Sequence, residues 1–365
     1  MSPQDIWHKT ARTIIKAGYM PFPISDTLIE LLKLLINERE AKFLQVFSRK
    51  PNLTLDQIKE NTDLKEQEIL GILDGLMHEG VVTGTQSKTT GVKVYRLMPP
   101  FPGLFEFTLM RGKTGEKEKK LAHLFDKLFK EIQEGTQKNY DTIVGQFKKF
   151  PAIDRVVPVE QEIEVQQEMV LPPEEVSRLV DQNEDIALTT CYCRHEKDLL
   201  DDPCKVTDIR KNCLLFGKTA KFAIEQEFAE SISKDEVKKI LKEAEEEGLV
   251  HKTFHVHLEP ERGIEAICNC CKCCCGIFQL YYQGAMPLHT LTSYIAEIDD
   301  EECIGCGTCI DICPMETIDI IDDIASINAE KCIGCGVCVH QCPSDAIELK
   351  RTGMRDVYVP PPKIT

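Results

Sequence analysis

The sequence predicts an α+β fold that is divided into several domains. Apolar residues recur at helical spacing through much of the first 180 residues, one hairpin-like segment interrupts them, and all 18 cysteines follow residue 190. A chain of 365 residues is long enough for two or three hydrophobic cores. We expect five segments: helices followed by a small helix-and-hairpin domain over 1–110, a helical and extended connector over 111–180, a cysteine-rich α/β domain over 181–297, a doubled cysteine module over 298–349, and a tail over 350–365.

Residues 38–98 have the order of three short helices followed by a hairpin. Thr54 can cap the second helix, and Asp63 opens a third that runs to Gly80. This order resembles the winged-helix family of bacterial regulators, which implies a winged-helix-like N-terminal domain with DNA as one possible ligand. Between Thr54 and Gly80, however, seven carboxylates stand against two lysines, and this charge opposes contact with phosphates. We therefore expect this domain to contact protein.

The formal net charge of the chain is −16. Nucleic acid is therefore not an expected partner, whereas an acidic surface suits docking to redox proteins that carry basic patches. The apolar helix predicted over 27–36 suits a core, or an interface in an oligomer or complex. No apolar stretch approaches the roughly 18 residues of a membrane-spanning helix. Because clustered free thiols need a reducing environment, we expect a cytoplasmic protein of an anaerobic organism.

A cysteine run occurs twice between Cys303 and Cys342. Each copy has the spacing C-x2-C-x2-C-x3-C-P, the copies are 29 residues apart, and Ile318 corresponds in register to Ile347. Over residues 298–349 the chain resembles bacterial ferredoxins that carry two [4Fe–4S] clusters. Over its full length it is similar to proteins of anaerobes that carry a 4Fe–4S dicluster domain.

The ferredoxin resemblance implies two [4Fe–4S] clusters whose ligands cross between the copies. The fourth cysteine of each copy binds the other copy's cluster, because one tight loop cannot reach all four irons. The first cluster would be bound by Cys303, Cys306, Cys309 and Cys342. The second would be bound by Cys332, Cys335, Cys338 and Cys313. Neighbouring apolar residues are expected to limit water near the clusters: Ile304, Ile310, Ile333 and Val337.

Ten further cysteines lie in the preceding region. Clustered free thiols oxidise readily and contribute little to packing, so this density indicates metal ligation. Because a cubane takes four ligands, one or two additional iron–sulfur clusters could be bound here, with zinc as the alternative. The step Cys274-Cys275-Gly276 is similar to the Cys-Cys-Gly motif of heterodisulfide-reductase-like subunits, although their longer spacing is absent. The candidate ligands are Cys191, Cys193, Cys204, Cys213, Cys268, Cys270, Cys271, Cys273, Cys274 and Cys275.

These features predict an electron-transfer protein, as a subunit or adaptor of a redox complex that relays single electrons through two or more [4Fe–4S] clusters. A redox-sensing winged-helix regulator is one alternative. An iron–sulfur oxidoreductase with substrate chemistry in the Cys191–Cys275 region is another. No Ser/His/Asp set or His-Glu-x-x-His motif occurs, so no catalytic residue is predicted.

Overall fold

The computed structural model describes residues 3–18, 20, 22–87, 89–147, 154–163, 176–254, 264–286, 292–353, 355 and 359–364. The chain forms two compact units that interleave along the sequence. The first unit comprises Met1–Gly135, Tyr192–Pro203 and Lys218–Glu230. The second comprises Thr136–Cys191, Cys204–Gly217 and Ser231–Thr365.

Helices and strands both occur throughout the described residues. The helices are α1 (Pro3–Lys16), α2 (Asp26–Leu35), α3 (Glu38–Phe43), α4 (Leu55–Lys59), α5 (Glu66–His78), α6 (Phe105–Leu109), α7 (Glu116–Lys138), α8 (Tyr140–Phe147), α9 (Val176–Asp181), α10 (Tyr192–Leu199), α11 (Gly217–Glu225), α12 (Lys234–Glu246), α13 (Gly276–Tyr282), α14 (Thr308–Ile312) and α15 (Val337–His340). The strands are β1 (Asn52–Thr54), β2 (Val82–Gln86), β3 (Lys93–Leu97), β4 (Asp154–Val157), β5 (Ile186–Thr190), β6 (Lys211–Phe216), β7 (Glu230–Ser231), β8 (Val250–Phe254), β9 (Ala266–Cys270), β10 (Tyr294–Ile298), β11 (Ile318–Ile321), β12 (Ile324–Ile327) and β13 (Ile347–Arg351). None of the described helices has the length and apolar character that crossing a membrane requires.

Three N-terminal helices of the first unit, α2, α3 and α4, begin at side-chain caps. Ser25 caps α2, and Asn37 forms a capping box with Glu40 at the start of α3. The predicted cap at Thr54 is present, since its hydroxyl accepts a hydrogen bond from the backbone N–H of Gln57 at the start of α4. A three-stranded antiparallel sheet in the order β1-β3-β2 accompanies these helices. Helices and hairpin therefore occur in the order that the sequence predicts.

Aromatic side chains form the rest of the first unit's core. Phe105 makes edge-to-face contacts with Phe125, Phe129 and Tyr192, with ring centroids 5.1 to 5.7 Å apart. Aromatic pairs of this geometry stabilise the core beyond what the burial of their apolar surface contributes. Since Tyr192 begins α10, these contacts fix that helix within the first unit.

A six-stranded sheet in the order β4-β8-β9-β6-β5-β7 is the largest sheet of the described chain. Its β4–β8, β8–β9, β9–β6 and β6–β5 pairs are antiparallel. One face of the sheet packs against α9 and α12 and forms the apolar core of the second unit. From this face Ile186, Leu214 and Ile267 contribute to that core. Side chains alternate along a strand, so the residues between these positions lie on the opposite face.

The C-terminal module of the second unit contains two antiparallel strand pairs, β10–β13 and β11–β12. Ile318 begins β11 and Ile347 begins β13. The 29-residue repeat of the sequence is therefore a structural repeat, in which each cysteine run leads through a short helix into a strand.

Candidate metal centres

The doubled run folds into two similar loops. Two glycines in each loop have positive φ: Gly305 and Gly307 in the first copy, and Gly334 and Gly336 in the second. The second glycine of each copy directly precedes a helix, α14 or α15. A left-handed backbone at these positions lets the chain turn sharply enough to direct several cysteines of one short segment toward a common centre.

The eight cysteines of the doubled run line two cavities. One cavity is lined by the first three cysteines of the first copy and the last cysteine of the second copy: Cys303, Cys306, Cys309 and Cys342. The other is lined by the first three cysteines of the second copy and the last of the first copy: Cys332, Cys335, Cys338 and Cys313. Each loop thus places its fourth cysteine at the other loop's cavity. We name them the first and second cavity.

The two cavities differ in their access to solvent. At the first cavity Cys306 is exposed and Ile304 is 68% exposed, so the expectation that Ile304 excludes water is wrong. At the second cavity Cys335, Cys338 and Ile333 are buried. Burial raises the pKa of the Cys335 and Cys338 thiols, because the charged thiolate loses its hydration. A metal centre in the first cavity would therefore lie closer to the surface than one in the second cavity.

Four other thiols converge on one point in the second unit, and we name them the quartet. Their sulfur atoms all lie within 4.8 Å of one another: Cys204, Cys271, Cys273 and Cys274. Contacting sulfurs in this set are 3.5 to 3.7 Å apart. Hydrogen bonds from the other three thiols lower the pKa of Cys204, since they stabilise its thiolate. The sequence did not indicate which six of the ten thiols stay outside this set.

The spacing of the quartet suits a single metal ion. Four thiolates on one tetrahedral zinc stand about 3.8 Å apart, given a Zn–S bond of about 2.3 Å. A cubane places one thiolate on each of four irons, and therefore holds its ligands farther apart. Among the eight cysteines of the doubled run, all of which the structure describes, no set is as close as the quartet.

The remaining candidates fall into two places. Cys193 is buried in α10 of the first unit. The other five are buried in the second unit: Cys191, Cys213, Cys268, Cys270 and Cys275. The structure thus divides the ten predicted ligands into the quartet, a separate set of five, and Cys193.

The sequence did not predict a buried ion pair that lies near Cys270 and Cys275. Lys252 and Asp154 are 0% and 2% exposed, and the ammonium nitrogen lies 2.5 Å from a carboxylate oxygen. Burial opposes the charged form of the amine, but Asp154, then Cys275 and Cys270, outweigh it and raise the pKa of Lys252. The one signal available was a lysine within the otherwise β-prone segment of β8.

Comparison with known families identifies the C-terminal part of the chain. Residues 295–343 match the 4Fe–4S dicluster domain. This match and the clustered cysteines support iron–sulfur binding. No curated protein and no solved structure matches the chain.

Proposed function

We propose that the protein is an electron-transfer component that binds two [4Fe–4S] clusters in the first and second cavities. The observation that carries this proposal is the crossed lining of those cavities, in which three cysteines of one copy meet the fourth of the other. Four thiols per cavity equal the number of ligands of a [4Fe–4S] cluster. Bound clusters would supply the one-electron chemistry.

The protein would insulate one centre and expose the other. Val337 is 1% exposed at the loop whose cysteines line the second cavity, whereas Ile304 and Cys306 reach solvent at the first. Electron exchange with a partner falls off with distance, so the first cavity is the expected point of exchange. The second centre would then be the inner member of the relay.

An acidic, partly apolar surface surrounds the first cavity. Ile304 and Ile320 line the cavity and are exposed, and the residues that follow Ile320 are exposed as well: Ile321, Asp322 and Asp323. Apolar contacts within a charged rim suit a transient complex with a redox protein whose docking face is basic. We therefore place the partner interface at this surface.

The docking surface can be tested with a small basic cytochrome as electron acceptor. Its reduction by the anaerobically reduced protein should slow as salt increases, because salt screens attraction between opposite charges. Ile304→Glu should slow the reaction at high salt, where steering is screened and apolar contact remains. Leu70→Glu, an exposed apolar position on α5, is the matched control. Equal rates for both variants would contradict this location.

We assign a single tetrahedral metal ion to the quartet, with zinc as the expected metal. The contacting sulfurs are 3.5 to 3.7 Å apart, which supports one ion over a cubane. Such an ion would tie the loop at Cys204 to the turn at Cys271 without taking part in electron relay.

The first unit is proposed to make protein contacts through a winged-helix-like domain inside a cytoplasmic redox complex. On α5, Glu66, Glu68 and Asp74 are exposed, and their charge opposes a DNA backbone. A redox-regulator role would require DNA binding, so retarded migration of double-stranded DNA at low salt would favour that alternative.

Metal and sulfide analysis of anaerobically purified protein tests the assignment as a whole. The two cavities together predict about eight irons and eight sulfides, and the quartet predicts about one zinc. Serine at Cys306 and Cys335 should remove the cavity irons and leave zinc in place. Serine at Cys204 and Cys273 should remove zinc alone. Absence of iron and sulfide from oxygen-free material would overturn the proposal.

A further inference from the structure

The face of the six-stranded sheet opposite its apolar core carries thiols. Strand pairing sets Cys268 on β9 directly across from Lys252 on β8, and Leu214 on β6 across from Ile267. Residues paired across an antiparallel ladder point to the same face, and neighbours along a strand alternate. Because Leu214 and Ile267 belong to the core, Cys213 and Cys268 lie on the other side. Cys270, two residues after Cys268, shares that side. We name this side the thiol face.

The thiols of this face are in contact with one another. Cys213 forms hydrogen bonds with Cys191 and with Cys268. Cys270 forms hydrogen bonds with Cys268 and with Cys275. The five side chains therefore make a continuous series of sulfur contacts.

A buried cation accompanies these sulfurs. Lys252 lies among them on the thiol face, with its ammonium group 4.9 Å from the ring centroid of Phe278 on α13. Its carboxylate partner, Asp154, is 2.5 Å away. An ammonium group is costly to bury and is retained where negative charge surrounds it. Besides its pairing with Asp154, the ammonium group lies close enough to Cys275 and Cys270 to interact with negative charge on those sulfurs.

We propose that the thiol face binds an additional iron–sulfur cluster, separate from both cavities and from the quartet. Its ligands are drawn from Cys191, Cys213, Cys268, Cys270 and Cys275. Unlike the quartet, no three of these five sulfurs, all of which the structure describes, lie within 4.8 Å of one another. The series therefore does not converge on one tetrahedral ion and fits a polynuclear centre better. Lys252 offsets the negative charge of the thiolates. This site rests on the geometry of the sheet and stands whether or not the proposed electron path is correct.

The experiment is iron, sulfide and zinc analysis of the full chain, purified without oxygen, as a difference between variants. Serine at both Cys213 and Cys268 should remove about four irons and four sulfides and leave the quartet's zinc and the cavity clusters. Thr189→Val is the control, because Thr189 pairs with Cys213 on the same face and carries no thiol. It should leave all metal contents unchanged. The iron content of each variant is compared with that of the wild type. Additional loss of the cavity clusters would therefore appear as a loss of clearly more than about four irons.

Unchanged iron in the double serine variant would overturn the proposal. Loss of zinc in place of iron would overturn it as well, since the site would then be a zinc site. Lys252→Met supplies a second measurement, in case the serine variant does not fold. It keeps all five thiols and should shift the midpoint potential of one cluster signal to more negative values, because a nearby cation stabilises the reduced cluster. Midpoint potentials equal to those of the wild type for every cluster would contradict a centre beside Lys252.

Discussion

Gly334 provides the sharpest test of how the cysteine loops are built. Its φ is +66°, and a Cβ added there would come closer than 3.0 Å to Thr292 Oγ1 and to the carbonyl oxygen of Tyr294. Real Cβ atoms do not make such contacts, and one of these obstacles is backbone. An alanine would therefore push the second loop away from β10.

The cost of Gly334→Ala has two parts. The left-handed conformation costs an L-residue about 1–2 kcal/mol. Forcing a methyl group into a filled space costs typically about 1–3 kcal/mol more. Gly307→Ala is the control, because Gly307 has φ of +79° and nothing within 4 Å of an added Cβ. That variant should carry only the first part of the cost.

Anaerobic denaturant titration, followed by the visible absorbance of the proposed clusters, measures both variants. We expect Gly334→Ala to lower the free energy of unfolding of the second unit by about 2–5 kcal/mol. Gly307→Ala should lower it by about 1–2 kcal/mol. Equal losses would refute the reasoning, because they would mean that the approach to Thr292 and Tyr294 adds nothing beyond the backbone strain.

Two further predictions concern buried charge. Desolvation, partly offset by Lys197, raises the pKa of Glu196 to about 8, so the folded state holds a proton that the unfolded state releases near pH 4.5. Stability of the first unit should therefore fall by roughly 2.5 kcal/mol between pH 6 and pH 9, whereas Glu196→Gln should remove this slope in thermal denaturation curves. In the second unit, Asp154→Asn leaves the Lys252 ammonium without its carboxylate and should cost about 3–5 kcal/mol of unfolding free energy. The double variant Asp154→Asn, Lys252→Met should recover much of this loss, and a failure to recover it would mean that packing, not charge, sets the effect.

The local features of the fold could be predicted because they depend on neighbouring residues. Thr54 caps its helix as expected, and Ser233 makes the same kind of cap at the start of α12. Ile318 and Ile347 occupy the same position in the two copies of the repeat, and each begins a strand. Two copies of one sequence pattern adopt the same local geometry. The four loop glycines all have positive φ.

Side-chain exposure and long-range pairing were harder to predict. Ile304 was expected to shield its cluster, but it follows Cys303 on the outside of the first loop and reaches solvent. Cys204 joins a group that lies 67 residues farther along the chain at Cys271. Such a pairing depends on how the sheet brings distant loops together, and the spacing of cysteines in the sequence does not predict it.

The end of β9 explains why six cysteines in eight residues do not form one site. Along the strand, Cys268 and Cys270 alternate with Asn269, so both thiols lie on the thiol face. At Cys270 the strand ends, and the turn that follows no longer alternates between faces. Cys271, Cys273 and Cys274 therefore gather around a different point, beside Ala244 and Leu249. Cys275, at the start of α13, returns to the thiols of the strand through Cys270. In the proposed assignment, the same short segment supplies ligands to two centres: the quartet, whose sulfurs are close enough for a single ion, and the thiol face, whose sulfurs are spread widely enough for a cluster.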